Sequence, residues 1–215
     1  MTNPSNNSPG DPLLKVFFCP GFSGIQWQLP IDAPFGDRLL IGWRTQAPAV
    51  EGGVPRSVAQ LLAGALCRQG TVTFAKGLRP PVGAGLVPRR WRLGRNFVWY
   101  STRNVEEAAA GIFDDDMFSW SRQGQIVVVS ADDEVPALEE RHLALSSDSR
   151  LAGMLRDNGG RALLLPGVDG DVAGLYTPDP TYGSAIRAEI TDAARRLGVD
   201  TQMSDEETAA RLLTD

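Results

Sequence analysis

Chemistry in this chain, if there is any, begins at Cys19. It stands in FFCPGFSGIQ, residues 17–26, at the end of an apolar run and before Pro20-Gly21. A thiol attacks as thiolate and needs a neighbouring base or cation to hold it in that form. The single histidine, His142, lies far along the chain in an acidic stretch. The serine of Gly21-Phe22-Ser23-Gly24-Ile25 does not make a nucleophile elbow. That motif is G-x-S-x-G on a strand-to-helix turn, and here the second glycine comes one place early. A structural reading fits the residue types better. Pro20 fixes φ near −65° and Gly21 accepts positive φ, as the centre of a type II turn requires. The expectation is an antiparallel hairpin over 13–29 with Cys19 buried.

Carboxylates form the second group. Asp114-Asp115-Asp116 and Asp132-Asp133-Glu134 offer oxygen ligands of the kind that hold Mg²⁺ or Ca²⁺. Consecutive acidic residues more often form a solvated face, and no metal site is expected here. DGDVAG, 169–174, begins like a calcium loop, but Ala173 stands where an oxygen ligand belongs and Pro180 where the bidentate Glu belongs. One histidine and two distant cysteines exclude thiolate or multi-histidine zinc sites. No phosphate loop or dinucleotide fingerprint occurs, so no cofactor is expected.

Two stretches look built for contact. PRRWRLGR, 88–95, sets Arg89, Arg90 and Arg92 around Trp91, with Arg95 beyond. Guanidinium forks grip phosphate or carboxylate, and indole stacks on bases or guanidinium groups. FDDDMFSW, 113–120, mixes Phe113, Phe118 and Trp120 with Asp114, Asp115 and Asp116. Clustered carboxylates steer a cationic partner, and aromatics supply a desolvated anchor.

The charge distribution favours the second stretch. The chain has 215 residues and a net charge of −5. Residues 1–110 hold 12 basic and 6 acidic side chains, and residues 111–215 hold 9 and 20. A net acidic chain suits a basic protein partner better than nucleic acid, unless a local basic patch overrides the average. With no secretory leader visible and two cysteines, free thiols in the cytoplasm are expected. No apolar run reaches the roughly 20 residues of a membrane helix.

The elements that must position these groups are read from periodicity. Strands are expected at 13–18, 25–29, 37–43, 71–75, 96–101 and 125–131, with 161–166 and 172–177 as a hairpin. One helix runs from a Ser57 cap to Gly70. Val58, Leu61, Leu62, Ala65 and Leu66 form its apolar face. Asn104 and Glu107 form a capping-box pair that opens a short helix, and Ser204 and Glu207 open another. A helix is expected near 147–157. One more, over about 182–197, shows an apolar face of Ile186, Ile190, Ala193, Ala194 and Leu197. Residues 77–94 read as a surface loop, residues 1–12 as a disordered lead-in, and no internal repeat is visible. The pattern implies an α+β domain over 13–215, with mixed or antiparallel sheets and four to five helices. A lobe seam near 103–124 is the alternative organisation.

Taken together, the residues favour a non-enzymatic interaction protein of inhibitor or immunity type, bacterial and cytoplasmic. Its acidic surface would cover a basic partner. Two alternatives stand beside it. One is a small hydrolase-type enzyme using a carboxylate-held metal or Cys19. The other is a nucleic-acid module built on 88–95.

Overall fold

The structure is a computed structural model. It describes residues 13–21, 37–45, 56–77, 92–93, 97–112, 127–130, 160–166 and 172–214. The described strands are β1 (Leu13–Pro20), β2 (Asp37–Thr45), β3 (Thr71–Gly77), β4 (Arg92–Leu93), β5 (Phe97–Thr102), β6 (Val127–Ser130), β7 (Gly160–Pro166), β8 (Val172–Thr177) and β9 (Asp200–Met203). The described helices are α1 (Arg56–Gln69), α2 (Val105–Ile112), α3 (Pro180–Arg196) and α4 (Glu206–Thr214). The strands form one sheet in the order β4-β5-β3-β6-β7-β8-β2-β1-β9. Every described pairing is antiparallel except β1 with β9. The class is α+β, as the mixed order of elements implies.

Alternation along the strands sends side chains to two faces. One face carries Val16, Phe18, Leu39, Ile41, Phe74, Tyr100, Val127, Val129, Leu164 and Leu175, all in the main core cluster. Against it pack α1 and α3. Val58, Leu62 and Leu66 recur every fourth residue on α1, and Ile186, Ile190 and Ala194 do so on α3, all of them buried. The other face is shielded as well. Phe17, Cys19, Leu40, Leu163, Val172 and Tyr176 are all buried there.

The backbone path repeats although the residues do not. β1-β2-α1-β3 and β7-β8-α3-β9 are both strand, strand, helix, strand. Their second strands, β2 and β8, lie side by side and antiparallel, which fits a two-fold relation. After its helix, the second unit lays β9 parallel against β1. The first unit sends β3 in the matching direction, parallel to β7, with β6 inserted between them. In each unit a glycine follows the last buried helical residue by four places, Gly70 after Leu66 and Gly198 after Ala194. The repeat therefore lies in spacing and direction, which residue identity does not display.

Local chemistry sets the ends of the elements. Asp179 caps α3, its Oδ1 accepting from the Thr181 N–H and Oγ1, both at 2.8 Å, and Pro180 takes the first helical position. Leu197 ends α3, and Gly198 follows at φ 72°. Leu197 is 63% exposed, so the apolar face expected from the sequence stops at Ala194. At α2, Asn104 Oδ1 accepts from the N–H groups of Glu106 and Glu107 at 2.9 and 3.2 Å, as the capping pair implies. The return arm differs. The Asn104 N–H donates to Thr102 Oγ1 at 3.0 Å, and that hydroxyl donates to Glu107 Oε2 at 2.6 Å.

Two expected caps are corrected. The Ser57 hydroxyl is buried and unpartnered, because α1 already starts at Arg56. The Ser204 hydroxyl is buried and unpartnered as well. Asp205 caps α4 instead, its Oδ1 accepting from the Thr208 N–H at 2.7 Å. A carboxylate one place later reaches the same first turn.

Side-chain links hold α3 against α1. Arg68 and Glu189 pair at 2.8 Å. The Arg161 guanidinium, from β7, donates to the Gln69 carbonyl at the end of α1 and lies 5.3 Å from the Tyr182 ring centre on α3. A cation at a helix C-terminus satisfies an orphan carbonyl, and the ring adds a cation–π contact.

Candidate functional site

Cys19 lies on β1, 1% exposed, opposite Leu40 of β2. Burial pushes its thiol pKa up, and the carboxylates of Glu206 and Asp205 push it further the same way. Both effects favour the neutral thiol, the opposite of what a nucleophile needs. Cys67, half-buried on α1, has its thiol raised by burial to about 11. His142 lies outside the described residues.

The turn after Cys19 has the expected backbone, since Gly21 sits at φ 68°. Its consequence differs from the hairpin expected over 13–29. Gly21 donates its N–H to the Arg38 carbonyl at 2.8 Å, and β1 pairs antiparallel with β2. Over Lys15–Phe18 the other edge of β1 is taken by β9. A strand has only two edges, and over Lys15–Phe18 both are taken, by β2 and β9. Residues 25–29 themselves lie outside the described residues.

Most residues of the two contact stretches also lie outside the described residues: Arg89, Arg90, Trp91, Phe113, Asp114, Asp115, Asp116, Phe118 and Trp120. So do Asp132, Asp133 and Glu134. Arg92 is placed, and it corrects the loop expected over 77–94. It belongs to β4, an edge strand, opposite Val98 of β5. Pairing of so short a strand is fixed by its neighbour and leaves no periodic signal. Among the described residues no group of three or more His, Cys, Asp or Glu side chains is arranged to hold a metal ion. None of the described helices is long and apolar enough to cross a membrane.

Four of the described acidic residues of the second half lie at the other end of the sheet. Residues 197–215 contain five acidic side chains and one basic. Asp200 on β9 and Asp205, Glu206 and Glu207 at the start of α4 are all exposed. Hydrogen bonds from Thr208 hold the Asp205 carboxyl below its usual range, and nearby Arg211 acts the same way. Arg211 pairs with Glu207 at 2.7 Å. Beside these carboxylates stand two exposed apolar side chains, Met203 at 51% and Leu197 at 63%. Arg187 Nη1 donates to Met203 Sδ at 3.8 Å.

Sequence reasoning missed this cluster because it missed β9. DTQM is short and has neither an apolar run nor clean alternation. The signal that was present is chemical. Three consecutive acidic residues at 205–207 follow a strand-length segment closely. No family model, no curated protein and no solved structure matches the chain.

Proposed function

We propose that this chain is a non-enzymatic interaction protein that binds a basic protein partner through the acidic surface of its second half. It would act in the manner of an inhibitor or immunity protein. The observation that carries this reading is the acidic end of the sheet. Asp200, Asp205, Glu206 and Glu207 are exposed there beside exposed Met203 and Leu197. Carboxylates raise the encounter rate with a cationic surface, and apolar side chains give the complex its desolvated contact. The Phe113–Trp120 stretch, with Asp114, Asp115, Asp116 and Phe118, is proposed as a further partner-binding segment on its composition alone. The raised thiol of Cys19 supports a non-catalytic role for that residue. A reducing compartment such as the cytoplasm suits both free thiols.

Capture from the native host, followed by binding kinetics with the captured partner, tests the proposal. One stoichiometric basic protein is expected. Asp115→Asn should chiefly slow association and weaken its salt dependence. Trp120→Ala should chiefly speed dissociation, with circular dichroism confirming the fold. The paired change Arg89→Ala with Arg90→Ala is the control, and it should leave binding intact. If that pair abolishes binding while Asp115→Asn does nothing, the polarity is reversed. The partner is then acidic or a nucleic acid, marked by a steep loss of affinity with salt.

A further inference from the structure

We infer that the basic partner engages β9 by strand addition, laying an extended Lys- or Arg-bearing segment along this edge as a further strand of the sheet. The inference rests on the proposed acidic recognition and specifies its geometry. β9 is the last strand at its end of the described sheet and pairs with β1 alone among the described strands. The parallel register decides which backbone groups face outward. Ser204 donates its N–H to the Phe18 carbonyl at 2.8 Å, so Ser204 and, by alternation, Gln202 turn toward β1. Thr201 and Met203 therefore turn their N–H and C=O groups away from β1. An incoming strand needs such a pair of residues, and edge strands serve as templates for it.

Side chains around this edge define the visitor. Met203 and Leu197 are both exposed, and both flank β9. Asp200, Asp205, Glu206 and Glu207 surround it with exposed carboxylates. Bases stand among them as well. Lys15 is opposite Asp200 in the register, Arg187 is engaged with the Met203 sulfur, Arg211 is paired with Glu207, and Arg195 and Arg196 close α3 just before Leu197. A segment alternating cationic and apolar side chains complements this edge on both counts. An acidic or purely apolar segment does not.

The test uses the whole chain and a synthetic peptide alternating lysine and valine. A second peptide is identical except for N-methylation of alternate backbone amides, which keeps charge and removes ladder hydrogen bonds. The lysine-valine peptide should bind and slow hydrogen exchange at the Thr201 and Met203 amides. N-methylation should weaken binding by about tenfold or more. Thr201→Pro should do the same, because that N–H faces away from β1 and its loss leaves the sheet's own ladder whole. Circular dichroism checks that variant, and the N-methylated peptide tests the same point on the unaltered protein.

Equal binding of the two peptides overturns strand addition. So does protection of these two amides without peptide in a self-associated species on ultracentrifugation, since a second copy then covers the edge. Failures of the two ideas separate cleanly. A captured basic partner that binds the Thr201→Pro variant unchanged sinks strand addition and leaves acidic recognition standing. If neither peptide nor any basic protein binds the unaltered chain, acidic recognition fails as well.

Discussion

Phe17 occupies the space above Gly42. The two residues are cross-strand partners in the β1–β2 ladder, and a Cβ built on Gly42 would lie 2.0 Å from Phe17 Cζ. Phe17 is 0% exposed, on the sheet face turned away from α1 and α3. Its ring covers the glycine, as aromatics rescue glycines within sheets.

Gly42→Ala forces the ring out of its place, and buried surroundings leave it little room. Overpacking of this kind costs about 1–3 kcal/mol. Phe17→Ala costs about 3–5 kcal/mol by opening a cavity. The double variant should lose clearly less than the two single losses added, because alanine at 42 then fills part of the space that the ring left. Urea denaturation of the three variants checks this. Strict additivity would mean that the ring does not sit on the glycine.

Nothing in LLKVFFCP announces that pairing. Both faces of β1 are buried, so its apolar residues form a continuous run, and the run identifies a strand without naming its partner. The hairpin β7–β8 was legible because two such runs lie close together, with GVDGD between them. The helices α1 and α3 were legible from four-residue spacing. β4 and β9 were not, since RL and DTQM have neither an apolar run nor clean alternation and take their conformation from the ladder they join. The caps show the same limit. Asn104 was identified correctly, whereas Ser204 lost its place to Asp205, which reaches the same first turn from one residue later. Charge asymmetry was plain from composition. That four of its described carboxylates lie at one sheet edge depends on β9, a long-range pairing.

The α2 relay gives a second prediction. Thr102→Val keeps the shape of the side chain and removes the hydroxyl that joins the Asn104 N–H to the Glu107 carboxylate. Loss of both hydrogen bonds of this buried hydroxyl, one of them to a charged group, should cost about 2 kcal/mol. Thr102→Ser keeps the hydroxyl and should restore most of the loss. Equal destabilisation by valine and serine would show that packing matters at this position and the relay does not.

Asp179 gives a third. Its two hydrogen bonds from Thr181 hold its carboxyl below the ordinary 3.8. A depressed carboxyl stabilises the fold above its unfolded pKa and loses that effect as pH falls through the folded value. Asp179→Ala should therefore lower the melting temperature by about 2–4 °C at neutral pH, in line with loss of a helix cap in a chain of this size. The difference from the unaltered protein should shrink below pH 3.8 and vanish in stronger acid. A difference constant from pH 7 to pH 2 would assign the effect to packing.

The thiols give the last. Both cysteines are free, and both are raised, Cys67 to about 11. At pH 8 a thiol of that pKa is thiolate in about one molecule in a thousand. Native labelling at Cys67 should therefore be slow and should quicken about tenfold per pH unit toward 10. Cys19 is 1% exposed and must wait for the sheet to open. Its rate should track global stability, rising with subdenaturing urea in step with the unfolded fraction. A raised thiol also ties stability to pH. The unfolded chain releases the Cys67 proton near 9.0 and the folded chain near 11, so the contribution is complete below 9.0 and falls as pH rises through that window. Cys67→Ala should flatten the loss of stability over that window while leaving neutral pH behaviour little changed. Rapid, urea-independent labelling of Cys19 at neutral pH would reverse its assignment as a core thiol and return it to the list of nucleophiles.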